Sequence, residues 1–171
     1  MIIEMTLTEL NLLGPAQLRE EFLKCCGCTS WAEKMVASAP FQNREEVFEK
    51  SDLFWNETKA EDWLEAFLHH PKIGDLKSLE KKFASTSKLA GSEQASVHSA
   101  SQKTLEDLAA GNDAYETKFG FIFIVCATGK SAGEMLELLN RRIHNNKETE
   151  LRIAAGEQNK ITRLRLEKLL S

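Results

Sequence analysis

The segment His69-His70-Pro71-Lys72-Ile73-Gly74-Asp75 concentrates groups able to move protons. Proline disfavours the α conformation in the residue before it, so a helix carrying Trp63, Phe67 and Leu68 must stop at His70. An imidazole there meets unpaired carbonyls and the negative end of the helix dipole, which favour the protonated ring by ~0.3–1 kcal/mol. His70 is therefore read as a poised proton donor, although the same position suits an ordinary helix-terminal cap. Ser92-Glu93-Gln94 follows a small-residue stretch, Ala84 to Gly91, that reads as a loop, and Arg163 and Arg165 lie in the last helix. A glutamate facing a histidine makes an acid/base pair, and an arginine reaching the same pocket binds an anionic or urea-like ligand. Each alone is equally a solvated polar position, and spacing does not show that they meet.

Two further motifs invite chemistry and lose to plainer readings. Cys25-Cys26-Gly27-Cys28 contains a C-x-x-C spacing, but His69, His70, His98, His144 and Cys126 supply no second half-site with recognised ligand spacing. No metal is assigned, and the cysteines are read as small buried thiols where a helix ends. Gly129-Lys130-Ser131 resembles the tail of a phosphate-binding loop, yet the glycine that the loop requires five residues before Gly129 is Ile124. The reading taken is a turn at Gly129-Lys130 with Ser131 capping the next helix.

The elements that must position these groups are nearly all helical. Trp63, Leu64, Phe67 and Leu68 recur at helical spacing, as do Leu151, Ala154, Ala155, Gln158, Ile161 and Leu164 near the end. Capping boxes are expected at Thr58-Lys59-Ala60-Glu61 and at Ser131-Ala132-Gly133-Glu134. Further helices are expected over Ser99 to Ala110, closed by Gly111-Asn112, over Thr8 to Phe22 with a break at Gly14-Pro15, and over Trp31 to Ala37. The aromatic and β-branched run from Phe119 to Cys126 reads as a strand, but it has no second run to pair with. The expected fold class is an all-α, single-domain helical bundle over 1–171, with one buried extended segment around 119–126.

Composition bounds the partners. The chain has 171 residues, 42% of them hydrophobic and 28% charged, enough for one domain with a real core. Lys and Arg total 22 against 26 Asp and Glu, a net charge of −4, so no basic field draws the protein to nucleic acid. The longest apolar stretch is far short of the ~20 residues that span a bilayer, so no membrane span is expected. Glu4 stands where a signal peptide would be basic, which argues against secretion and for cysteines kept as thiols.

Taken together, the motifs resemble the family of 2-oxo-4-hydroxy-4-carboxy-5-ureidoimidazoline (OHCU) decarboxylases, which form (S)-allantoin in urate degradation. The resemblance runs through Phe22-x-x-Cys25-Cys26, Trp31-x-x-x-Met35, Pro40-Phe41 and Asp62-Trp63-Leu64-Glu65-Ala66-Phe67 into His70-Pro71-Lys72-Ile73-Gly74. It continues with Ser92-Glu93-Gln94, Lys118 to Val125, Gly129-Lys130-Ser131-x-x-Glu134-Met135-Leu136 and Glu157-x-x-Lys160-Ile161-Thr162-x-Leu164-Arg165. The chain departs from the family's pattern at Ala39, where Arg is frequent, and at Ser96, where Gly is frequent.

The resemblance implies an all-α enzyme without a cofactor, in which the histidine directly before proline, His70 rather than His69, transfers the proton. It implies that Glu93 holds and tunes that histidine, that Arg165 rather than Arg163 grips the ligand, and that Pro71, Ser92 and Gln94 line it. Backbone groups of Phe121, Ile122, Phe123, Ile124 and Val125 complete the binding surface. The expected partner is a small ureidoimidazoline substrate. A homodimer, and a fused or separate transthyretin-like hydroxyisourate hydrolase as in plant members, are further expectations. Family members act in peroxisomes, while Leu169-Leu170-Ser171 is not a Ser-Lys-Leu address. The competing readings are a non-catalytic helical module that binds a ureide or another protein, and a thiol- or zinc-dependent protein using Cys25 and Cys28.

Overall fold

Gly14-Pro15 divides the first helical stretch as its chemistry requires, because proline fits the first turn of a helix but not its interior. Helix α1 covers Leu7–Leu12 and α2 covers Pro15–Cys25. In this computed structural model, residues 1–71, 75–83 and 94–171 are described, with side chains from 102 onward in the last of these. The described helices continue with α3 (Thr29–Ala37), α4 (Arg44–Asn56), α5 (Ala60–Leu68), α6 (Leu76–Phe83), α7 (Gln94–Phe119), α8 (Ala132–Arg142) and α9 (Lys147–Leu169). No strand occurs among the described residues. No helix among them is long and apolar enough to cross a membrane. The chain forms two compact units, Met1–His70 with Leu151–Ser171, and Pro71–Glu150.

The first unit is organised by aromatic residues with polar handles. Phe22 of α2 meets the Trp31 ring edge-on at 5.9 Å and the Phe41 ring at 6.0 Å. Trp31 is fully buried, and its indole N–H donates to the Ser51 carbonyl at 3.1 Å. The Trp55 N–H donates to the Ala155 carbonyl at 3.0 Å, tying α4 to α9. Burying a large apolar side chain of this kind is worth roughly 1.5–3 kcal/mol, so these contacts set where α3, α4 and α9 lie. The helix α4 is absent from the sequence reading, although Asn43 caps it by accepting from the Glu46 N–H at 2.8 Å. Its buried Val47, Ser51 and Trp55 fall four apart, and the polar Ser51 interrupts the apolar stripe that periodicity looks for.

The start of α5 corrects the expected capping box. Its N-cap is Lys59, not Thr58, and Asp62 accepts the Lys59 N–H at 2.9 Å. Thr58 instead donates to the Trp55 carbonyl and accepts the Trp63 indole N–H at 2.8 Å, so its hydroxyl is engaged at the end of α4. The second box is present as read: Ser131 accepts from Glu134 N–H at 3.2 Å and Glu134 accepts from Ser131 N–H at 2.9 Å.

In the second unit α7 packs on α8 around Leu79, Phe83, Leu105, Leu108, Met135 and Leu139. Gly111-Asn112 does not close a helix as expected, for α7 runs through it to Phe119. A Cβ at Gly111 would lie 2.9 Å from Leu139 Cδ2, so this glycine permits close helix approach rather than a left-handed cap. The helix ends instead at Gly120, whose φ of +80° suits glycine. Phe119 thus closes α7, and 121–126 carry neither helix nor strand, with Phe121, Ile124 and Cys126 buried. Helix α6 is also absent from the sequence reading, being short; Asp75, just before it, accepts the Ser78 N–H at 2.8 Å.

Candidate functional site

His70 lies directly after the end of α5, half-buried, with its backbone N–H bonded to the Phe67 carbonyl at 3.2 Å. The residue before it, His69, closes α5 and packs its ring against Gly27, where an added Cβ would overlap the imidazole. The close backbone of the Cys26-Gly27-Cys28 turn is therefore what the end of α5 docks on. This gives the cysteine-rich motif a packing role within the first unit.

His70 Nε2 bonds to Gln158 Oε1, from the fully buried face of α9. The orientation of that amide is set by the next turn. Gln158 Nε2 donates to Thr162 Oγ1 at 3.1 Å, and Thr162 donates its own hydroxyl back to the Gln158 carbonyl at 3.0 Å. The histidine partner found here is a neutral amide four residues before Thr162, a pairing that sequence reading missed because it joins residues 88 apart.

The electrostatics reverse the sequence expectation of a protonated ring. Burial pushes the His70 pKa below the ordinary imidazole value of 6.5, the bond to Gln158 opposes that shift, and the charges of Arg165 and His69 add to it. Loss of solvation outweighs the favourable helix terminus, so the resting ring is neutral.

Arg165 acts on His70 through its charge, and its Nη1 donates to the Lys24 and Cys25 carbonyls at 3.5 and 3.4 Å, the last turn of α2. These are long bonds from one nitrogen of a five-donor guanidinium, which leaves donors for an anionic or urea-like group. Arg163 points elsewhere, pairing with Glu167 at 3.4 Å and Asp52 at 3.8 Å and covering the Phe48 ring. The first unit thus brings together His70, Gln158 and Arg165. Pro71 is exposed and opens the second unit.

Phe121 to Val125 belong to the second unit, where a buried charged network holds them. Arg142 donates to the Ile124 carbonyl at 2.7 Å and to Glu150 at 2.5 Å, and its guanidinium stacks over Phe123 at 4.5 Å. Glu150 also accepts from the Tyr115 hydroxyl at 2.5 Å and from Asn145 at 3.1 Å. Neither Arg142 nor Glu150 was singled out from sequence, where each looks like a solvated helix charge. Ser92, Glu93 and the loop read over Ala84–Gly91 lie outside the described residues, as do Lys72, Ile73, Gly74 and the side chain of Gln94.

All four cysteines are buried thiols, and burial pushes Cys25 and Cys26 up to about 12. Cys28 Sγ and carboxylate oxygens of Asp62 and Glu65 lie within 4.8 Å of one another, a grouping that could hold a cation. Each carboxylate already has work: Glu65 accepts from the Thr29 N–H at 3.2 Å and hydroxyl at 2.5 Å, and Asp62 from Ser30 at 3.3 Å. Glu65 thereby caps the start of α3, whose own N-cap residue Cys28 makes no side-chain cap bond.

Residues 11–167 match the model of the OHCU decarboxylase family. The chain is 42% identical over 154 residues to an Arabidopsis thaliana protein described as the uric acid degradation bifunctional protein TTL, covering 89% of this chain and 47% of that one. It thus spans about half the length of that relative. It is 26% identical to a Haloferax volcanii OHCU decarboxylase, with 95% of each chain covered. A crystal structure of OHCU decarboxylase in the presence of (S)-allantoin superimposes with a TM-score of 0.70 at 38% identity, covering 88% of this chain and 97% of that one. A helical chain with His70 directly before proline, a buried amide on its imidazole and a family match from residue 11 to 167 belongs to the OHCU decarboxylase family.

Proposed function

We propose that this chain decarboxylates 2-oxo-4-hydroxy-4-carboxy-5-ureidoimidazoline to (S)-allantoin, and that the two compact units together make up the one decarboxylase domain. The observation that carries the reading is the family match across 11–167 together with a neutral, half-buried His70 under the charge of Arg165.

The chemistry suits a protein that supplies only orientation and proton transfer. Breaking the ring-carbon–carboxylate bond releases CO₂ and leaves its electron pair in the ring, delocalised toward the ureido-bearing carbon and the adjacent imine nitrogen. That nitrogen takes a proton from water, balancing the lost carboxylate charge. The 4-hydroxyl proton then moves to the ureido-bearing carbon as the hydroxyl becomes a carbonyl. A neutral His70 is suited to take that proton and return it to one face, which creates a single enantiomer. The substrate's conjugated ring is the electron sink, so no cofactor is needed for this step. Arg165 grips the anionic or ureide groups, Glu93 tunes the histidine, and Pro71, Ser92, Gln94 and the Phe121–Val125 backbone line the ligand.

A transthyretin-like hydroxyisourate hydrolase, fused or separate, would supply the unstable substrate; two relatives are described as bifunctional uric acid degradation proteins, which supports a second activity of urate degradation beside this one without naming it. A homodimer and a peroxisomal location belong to the same proposal on the family resemblance. Sedimentation and imaging of a tagged chain test them.

The test is to add the chain to freshly oxidised urate with a hydroxyisourate hydrolase and follow product optical activity. Fast appearance of (S)-allantoin is expected. Racemic product at the enzyme-free rate would make the chain a ureide-binding module instead.

A further inference from the structure

The hydrogen-bond chain behind His70 runs in one sense. Thr162 donates its single hydroxyl proton to the Gln158 carbonyl at 3.0 Å, so its lone pair must accept from Gln158 Nε2, 3.1 Å away. The amide oxygen is then left facing His70 Nε2. An amide oxygen has no proton to give, so the ring nitrogen it meets must carry one. Gln158 is fully buried and Thr162 nearly so, and a flipped amide would oblige Thr162 to turn its hydroxyl to the amide oxygen and give up its bond to the Gln158 carbonyl, with no water to replace it.

We propose that Gln158, itself oriented by Thr162, locks the neutral imidazole of His70 in the Nε2–H tautomer, so that Nδ1 is the nitrogen that exchanges the proton with substrate. The assignment of Nδ1 to proton exchange rests on the decarboxylase reading; the tautomer lock does not. Gln158 is a positioning residue, acting through His70. When Nδ1 takes the hydroxyl proton the ring becomes cationic, and the Nε2–H bond to Gln158 strengthens as a charge-assisted bond. That gain opposes burial, which disfavours the cation most, and the charges of Arg165 and His69, which add to it. A neutral acceptor supports the transient cation without holding it, so the proton can still return to carbon.

The experiment combines ring-nitrogen NMR of isotope-labelled histidine with steady-state kinetics. The His70 signals are assigned by their loss in His70→Asn. The wild-type neutral ring is expected to carry its proton on Nε2. Gln158→Leu removes the acceptor and should populate both tautomers, lowering kcat by roughly 10- to 100-fold, as loss of a partner behind a working histidine does, with KM little changed. Gln158→Glu keeps an acceptor but adds a charge, so it should keep the Nε2–H tautomer, raise the pH at which His70 titrates and move the acid limb of the kcat profile the same way. The added charge moves that limb by itself, so the tautomer decides the matter if Gln158→Leu fails to fold: a neutral Gln158→Glu ring protonated on Nδ1 overturns the lock.

A wild-type ring protonated on Nδ1 overturns the lock. A Gln158→Leu protein with mixed tautomers and unchanged kcat overturns Nδ1 as the working nitrogen. Absence of turnover in the wild type sinks the decarboxylase reading and with it the role of Nδ1, while the NMR result still decides the tautomer.

Discussion

Arg142 reaches from the end of α8 to the Ile124 carbonyl at 2.7 Å while its other nitrogens engage the fully buried Glu150 at 2.5 Å. An irregular segment without strand pairing is thereby held by a side chain instead of by a sheet. Breaking one partner of a buried pair leaves an uncompensated charge. Arg142→Ala should lower unfolding free energy by about 3–5 kcal/mol, read by urea titration. A loss no larger than that of an exposed ion pair would show that Glu150 is not dependent on Arg142.

The pH dependence of stability follows from the depressed His70 pKa. The folded ring binds its proton less readily than the unfolded one, so between the two values the unfolded chain holds more protons and stability rises with pH. The contribution is fully present above the ordinary value of 6.5 and is lost as pH falls from there through the folded pKa. NMR titration of the His70 ring should give a midpoint below 6.5, and His70→Asn should flatten this part of the stability curve. A midpoint above 6.5 would mean that the helix terminus prevails over burial.

Gly111 tests a packing claim against a propensity. Alanine is favoured over glycine in a helix interior by ~1 kcal/mol, so Gly111→Ala should stabilise α7 if nothing opposed it. The new Cβ would sit 2.9 Å from Leu139 Cδ2, in a fully buried leucine, and overpacking typically costs ~1–3 kcal/mol. Net destabilisation in thermal melts is expected, and a raised melting temperature would refute the close approach.

The thiols should be spectators. With Cys25 and Cys26 pushed up to about 12 and buried, the native chain should resist alkylation at neutral pH and keep its activity after treatment. Rapid labelling of either residue with loss of turnover would revive the thiol-dependent alternative.

The site variants separate the two adjacent imidazoles. His70→Asn and Glu93→Gln should each lower kcat by ~10²- to 10⁴-fold, and His70→Asn should give slow racemic allantoin. Arg165→Ala should raise KM if the guanidinium grips the ground state and lower kcat if it acts on the transition state. His69→Asn, in a folded protein, should retain turnover. Equal damage from His69→Asn would place the proton transfer on the wrong ring.

Local rules were legible where no distant contact overrode them. The Gly14-Pro15 break, the Ser131–Glu134 box and the stop of α5 before Pro71 each follow from steric or hydrogen-bonding constraints spanning a few residues, and the amphipathic repeats made the helical class plain. The motif order carried the family and, with it, the choice of His70 and Arg165. What the tertiary structure alone decided are the relations between distant residues. Thr58 lost its cap to the Trp55–Trp63 contacts, and Gly111 became a packing notch because α8 lies against it. Arg142 and Glu150 look like surface charges until their partners are in place. The charge of His70 depends on how much water the fold removes and on an amide from α9, and neither burial nor a partner 88 residues away is encoded in local spacing. Desolvation and long-range hydrogen bonding are properties of the packed chain, and they reversed the sign that the helix terminus alone predicts.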